Sequence, residues 1–248
     1  MSAAVPLVDS GSVPPAGDLN LVRVYVWEWP VRLTHWLIVV SLFILSVTGI
    51  YIGRPFLIVS GEARALFVMG TMKAIHSSAA IVFMLAVFSR IVWMFIGNSY
   101  SRWDKFLPVP KRRRLGILPT TKFYLFGLRK PPGFIGHNPL AGMAYTLVFV
   151  LYLTMIGTGL GLRAVSAGVH SPFRAFAFLL PLFGGPQSAR WIHHVVMWLL
   201  WGFVAHHVYS AILMSQIEGN ATMESIFSGY KFVQRDDVIY SGYRFLRK

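Results

Sequence analysis

Residues 190–211 read RWIHHVVMWLLWGFVAHHVYSA, an apolar stretch that carries two histidine doublets, His193-His194 and His206-His207. Crossing the hydrocarbon core takes about 20 apolar residues, because that core is about 30 Å thick and a helix rises about 1.5 Å per residue. The stretch is long enough, and an ionisable ring inside it is costly, so each histidine is a functional candidate. From His193 to His207 is 14 residues. That is four turns at about 3.5 residues each, which puts both on one helix face, about 21 Å apart along the axis.

The rest of the chain has the same character. Of 248 residues, 55% are hydrophobic and 13% charged, and the mean hydropathy is +0.58; together these indicate a membrane protein. Three further stretches, 33–52, 74–96 and 140–162, join 191–215 as spans of an all-α, four-transmembrane-helix bundle. A fifth run, 172–185, is short and interrupted by Arg174 and Pro181, and is expected to lie along the interface. Cysteine is absent, which excludes disulfides, iron–sulfur clusters and thiolate metal sites within this chain. The net charge of +14 raises nucleic-acid binding, but the basic residues flank apolar blocks and lack an aromatic-interleaved groove. A membrane-topology reading, without nucleic acid, fits better.

Lys and Arg decide the orientation. The leader, the segment 90–130 and the tail hold 17 of them against 6 in the other two loops. The positive-inside rule then places both termini in the cytoplasm, with the KRRR run at 111–114 as a cytoplasmic charge anchor. Residues 1–22 lack the pattern of a signal peptide and read as a disordered leader, 23–230 as the membrane domain and 231–248 as a basic tail.

Orientation fixes depth. His76 and His193 fall near the outer ends of their spans, whereas His35 and His207 fall nearer the cytoplasm. Two pairs of neutral imidazoles at two depths are the ligand set of two six-coordinate haems between the helices. For any one membrane histidine the plainer reading is a ring hydrogen-bonded to a neighbouring helix. Gly49, Gly142, Gly157, Gly159, Gly161 and Gly202 offer room for a macrocycle, or simply for close helix packing. Copper or proton transport is the competing use. The four spans contain no Asp or Glu for a proton relay, and the Met residues are scattered.

Several stretches resemble the b-type cytochrome subunit of membrane-bound nickel–iron uptake hydrogenases, within a wider group that includes the formate dehydrogenase cytochrome. They are YVWEWPVRLTHWL (25–37), TGIYIGRP (48–55), SGEARALFVMGTMKAIH (60–76), GNSYSR (97–102), IGHNPLA (135–141), HHVVMW (193–198), HVYSA (207–211) and MESIFSGYKF (223–232). The resemblance implies two haem b groups, an outer one on His76 and His193 and an inner one on His35 and His207. It leaves the roles of His194, His206 and His170 open. Members of the wider group differ in how firmly they retain the inner haem.

The resemblance further implies a quinone acceptor beside the inner haem, near Asn138, His137 and His207. A helix N-cap is the plainer role for Asn138, with Pro139 at the first helical position; both roles are compatible. The implied partners are the hydrogenase small subunit, through its membrane-anchoring helix and nearest iron–sulfur cluster, and the large subunit. Arg163, Arg174 and Arg190 lie on the expected docking side. The implied setting is the bacterial cytoplasmic (inner) membrane, with hydrogen chemistry in the partner subunits and quinone reduction on this chain. The alternatives are the cytochrome of a formate dehydrogenase or another periplasmic reductase and, from a different class, a transporter or simple anchor without haem.

Overall fold

The computed structural model describes residues 21–56, 67–126 and 134–234. Most of the leader, the tail beyond Gln234 and residues 60–66 of the SGEARALFVMG stretch lie outside the described residues. The elements in chain order are β1 (Leu21–Tyr25), α1 (Trp29–Gly53), α2 (Val68–Ile96), α3 (Lys111–Phe126), α4 (Pro139–Ser166), α5 (Leu179–Leu182), α6 (Pro186–Glu218), α7 (Ser225–Ser228) and β2 (Tyr230–Gln234). Short 3-10 turns occupy Trp103–Lys105 and Pro172–Phe178. Among the described residues, helices α1, α2, α4 and α6, of 25, 29, 28 and 33 residues, are the ones long and apolar enough to cross a membrane. They contain the four expected spans. Apolar side chains on their outer faces are exposed, Val40, Phe43, Leu85, Val92, Leu147 and Trp198 among them, as expected of helices whose solvent is lipid rather than water.

Two compact units divide the chain, the first from Met1–Arg32, Val92–Leu147 and Val204–Lys248, the second from Leu33–Ile91 and Val148–Phe203. In the first, β1 pairs with β2 in antiparallel register from Leu21↔Gln234 to Tyr25↔Tyr230. The expectation of an all-α chain is corrected to a mostly helical one. Leu21 and Val22 are strand rather than leader, and 231–234 are strand rather than tail. Beneath the sheet, Val24, Val26, Trp27, Val31, Tyr100, Ile135 and Val233 form a buried cluster. The carboxylate of Glu28 holds the connection after α2 in place, accepting from Trp93 Nε1 and the Asn98 backbone N–H, each at 2.8 Å. At Gly229 (φ +89°), a Cβ would stand 2.5 Å from the Tyr25 ring and 2.7 Å from the Trp27 carbonyl. A side chain there meets both strain and collision.

The segment 90–130, read from sequence as a charged connection, contains α3. Its mean hydropathy is too low to register as a span, and Pro119 lies inside it. Arg113, the third residue of KRRR, is buried, unlike its exposed neighbours Lys111 and Arg114. Its guanidinium donates to the carbonyls of Lys105 (2.6 Å), His137 (3.1 Å) and Asn138 (3.3 Å). Bonds to a charged donor contribute about 1.5–3 kcal/mol each, so this arginine ties α3 to the loop before α4. Burial lowers its pKa, with nearby Asp104 opposing.

In the second unit, Ile38, Phe83, Ala86, Val87 and Ile156 form the buried cluster. The run 172–185 makes a 3-10 turn and then the short helix α5, too short to span. Its side chains sit on α4: Leu180 packs over Gly161 and Phe183 over Gly157.

Candidate functional site

Helices α1, α2, α4 and α6 each contribute to one cluster within the second unit. His76, from α2, lies with Nδ1 2.9 Å from Thr48 Oγ1 of α1. His193, from α6, lies with Nδ1 2.8 Å from Thr158 Oγ1 of α4. The two rings are within electrostatic reach of one another. The glycine after each threonine lies against the ring. A Cβ on Gly49 would stand 3.2 Å from His76 Cε1, and one on Gly159 would stand 3.4 Å from His193 Cε1.

These two glycines are the ones, of the six singled out in the sequence, that lie against a candidate ligand. Gly157 and Gly161 receive the 172–185 segment. Gly142 admits backbone, since a Cβ there would stand 2.3 Å from the Lys105 carbonyl. Nothing lies within 4 Å of a Cβ on Gly202.

The two rings of the doublet at 193–194 present different edges to their neighbours. His193 and His76 turn their Cε1–Nδ1 edges to a glycine, and Nε2 of neither lies within 4 Å of the added Cβ. His194 presents its Cε1–Nε2 edge to Gly53, at 3.0 and 3.3 Å from where a Cβ would be. The Nε2 edge of His194 is thus turned against helix α1, whereas Nε2 of His76 and of His193 lies beyond 4 Å of the Cβ positions at Gly49 and Gly159. A pair of half-buried imidazoles with small residues at their shoulders is a donor set that suits a bis-histidine haem. The residues present fit that group.

His35 is also in the second unit, half-buried and edge-on to Trp36 at 5.2 Å. His207 belongs to the first, where Tyr145 Oη lies 3.3 Å from its Nδ1. The same Tyr145 ring packs edge-on against His137 at 4.6 Å, and Trp27 and Phe106 flank His137 at 4.7 and 5.4 Å. His137, Asn138 and His207 are therefore gathered in one unit. His206 is exposed, with Ser210 Oγ at 3.4 Å from its Nε2, and His170 is exposed on the connection after α4. Arg163, Arg174 and Arg190 are exposed as well; the first lies over the Phe173 ring at 5.5 Å and the last donates to Gln187.

Asn138 caps α4 as its sequence position suggests. Its Oδ1 accepts from the Ala141 N–H at 2.8 Å, which fixes the amide orientation and leaves the NH2 group facing outward. One N–H of that group donates to Tyr124 Oη at 3.1 Å. Burial raises the Tyr124 pKa, the Asn138 bond opposes and the charge of Glu218 adds to the rise. The phenol thus stays protonated and keeps a hydrogen to give. Four residues were missed from the sequence: Thr48, Thr158, Tyr145 and Tyr124. The TG dipeptide followed by Ile or Leu, at 48–50 and again at 158–160, is the signal that would have found the first two.

The family model described as prokaryotic cytochrome b561 matches residues 26–229. The chain is 37% identical over 216 residues to the probable Ni/Fe-hydrogenase 1 B-type cytochrome subunit of Escherichia coli K12, covering 86% of this chain and 92% of that one. It is 34% identical over 240 residues to the probable Ni/Fe-hydrogenase B-type cytochrome subunit of Bradyrhizobium diazoefficiens, covering 92% and 97%. To that of Cupriavidus necator it is 35% identical over 226 residues, covering 90% and 92%.

Proposed function

The chain belongs to the prokaryotic cytochrome b561 family, and from that premise we propose that it is the di-haem membrane-anchor subunit of a periplasm-facing nickel–iron hydrogenase, carrying electrons from hydrogen oxidation to the quinone pool. The carrying observation is the cluster of His76 and His193, each with a threonine at Nδ1 and a glycine at its shoulder. Family membership implies haem b, which supplies reversible one-electron carriage when bound. His76 and His193 would hold the outer haem, and His35 and His207 the inner one. The relatives' names favour the hydrogenase branch over the formate dehydrogenase alternative. The termini and the KRRR run are assigned to the cytoplasm on the charge count, in the inner membrane, with Arg163, Arg174 and Arg190 facing the hydrogenase subunits. The purified complex is expected to contain a nickel-bearing partner and a b-type α-band that hydrogen reduces and a quinone analogue reoxidises. No α-band would end the cytochrome reading, and a molybdenum or tungsten partner would move the chain to the alternative.

Quinone reduction needs hydrogen-bond donors at the carbonyls and a source of protons. Asn138 meets the first need through its NH2 group, with Tyr124 beside it; His137 and His207 complete the site. Because Oδ1 serves the cap and NH2 serves the ligand, the two roles separate by substitution. Asn138→Asp keeps the cap acceptor and removes the donor, so the KM for quinone is expected to rise by up to about tenfold, the worth of one hydrogen bond, with thermal stability unchanged. Asn138→Ala is expected to cost about 1 kcal/mol of stability as well. An unchanged KM in the Asp variant would remove Asn138 from the quinone site.

A further inference from the structure

Threonine in an apolar helix ordinarily returns its hydroxyl proton to the preceding turn, as Thr154 does here to Val150. Thr48 and Thr158 do the same and one thing more. Thr48 Oγ1 donates to the Ile44 carbonyl at 2.7 Å, with the Leu45 carbonyl at 3.3 Å. Thr158 Oγ1 donates to the Thr154 carbonyl at 2.7 Å, with that of Met155 at 3.2 Å. A hydroxyl has one proton and two lone pairs. With the proton committed to its own helix, each oxygen can only accept from the imidazole beside it.

That fixes the tautomer. An accepting oxygen at 2.8–2.9 Å requires hydrogen on Nδ1 of His76 and of His193, and a neutral ring with hydrogen on Nδ1 carries its lone pair on Nε2. Both threonines are buried, at 4% and 0% exposure, so water does not compete for the bond. Each is followed by a glycine that lies against the same ring.

We propose that Thr48 and Thr158 are positioning residues for the outer haem, matched acceptors that hold both axial imidazoles in the Nδ1–H tautomer and so set the ligands' basicity and the reduction potential. This rests on the reading of His76 and His193 as ligands. An acceptor on the distal N–H makes the imidazole a stronger electron donor to iron and favours the oxidised state. Removing it therefore raises the potential.

The test uses the purified complex with Thr48→Val, Thr158→Val, the double Val variant and the corresponding Ser variants. Readouts are the haem-to-protein ratio, the outer haem's midpoint potential and its low-spin electron paramagnetic resonance signal in the oxidised state. The Val variants are expected to raise the potential and shift the signal, the double variant most, while the Ser variants return both to native values. Loss of the outer haem in the Val variants with retention at native potential in the Ser variants supports the proposal equally. Val variants with native potential and signal overturn it, as does any change that Ser fails to reverse. Retention of the outer haem in His76→Ala or His193→Ala would instead overturn the ligand reading, which keeps the two failures distinguishable.

Discussion

His193→Ala is expected to strip the outer haem from the assembled complex and leave the inner one, whereas His194→Ala keeps both. The two residues are adjacent and both half-buried, so solvent exposure does not separate them. Orientation does. His193 has Nδ1 bonded to Thr158 and Nε2 clear of Gly159, while His194 lays its Nε2 edge against Gly53. Loss of an outer-shell partner costs about 10–100-fold in affinity or activity; loss of an axial ligand should exceed that, so hydrogen-to-quinone electron transfer in His193→Ala should fall by more than about 100-fold. His76→Ala should match it. The measurements are the haem-to-protein ratio and the reduced-minus-oxidised spectrum, with hydrogen oxidation by a soluble dye as the control for an intact partner. The opposite pattern, haem lost in His194→Ala and kept in His193→Ala, would reverse the assignment.

The spans were legible because each is a continuous apolar run near the length that a bilayer demands, and among the described residues no other element is. Their ends were not. Helix α6 runs from Pro186 to Glu218, past the expected 191–215, because its polar ends extend the helix without adding hydropathy. The two-stranded sheet was invisible for a different reason. It pairs residues 21–25 with 230–234, and no local pattern in five residues announces a partner two hundred positions away. Helix α3 hid behind its own charge: KRRR reads as a solvated run, yet Arg113 turns inward to three carbonyls.

The site divides in the same way. The histidines stood out because titratable rings are rare in apolar helices, and their 14-residue spacing already proposed one face. The threonines did not, since a threonine bonded to its own helix and one that also receives an imidazole are the same letter. Only the approach of a second helix tells them apart. Asn138 was readable as a cap from Asn-Pro alone, while Tyr145 and Tyr124, which sit against His207 and Asn138, carried no signal at all.

His207→Ala should separate the two haems functionally. With the inner ligand gone, hydrogen is still expected to reduce the outer haem, because His76, His193 and their threonines are confined to the second unit and make no use of residue 207. Quinone reduction should stop, with a fall of more than about 100-fold, since the acceptor site then has no reduced partner beside it. His35→Ala is expected to do the same from the other proposed ligand, whereas His206→Ala should not, its ring being exposed and lying beside Ser210. Rapid-mixing spectra under hydrogen give the discriminating result: one haem component reduced at the native rate, the other absent, and no reoxidation by quinone. If His207→Ala retained both components and reoxidised normally, the inner haem would have to be held elsewhere. Tyr145, bonded to His207 Nδ1 and packed on His137, would then be a tie between two structural histidines rather than the link between an electron carrier and its acceptor.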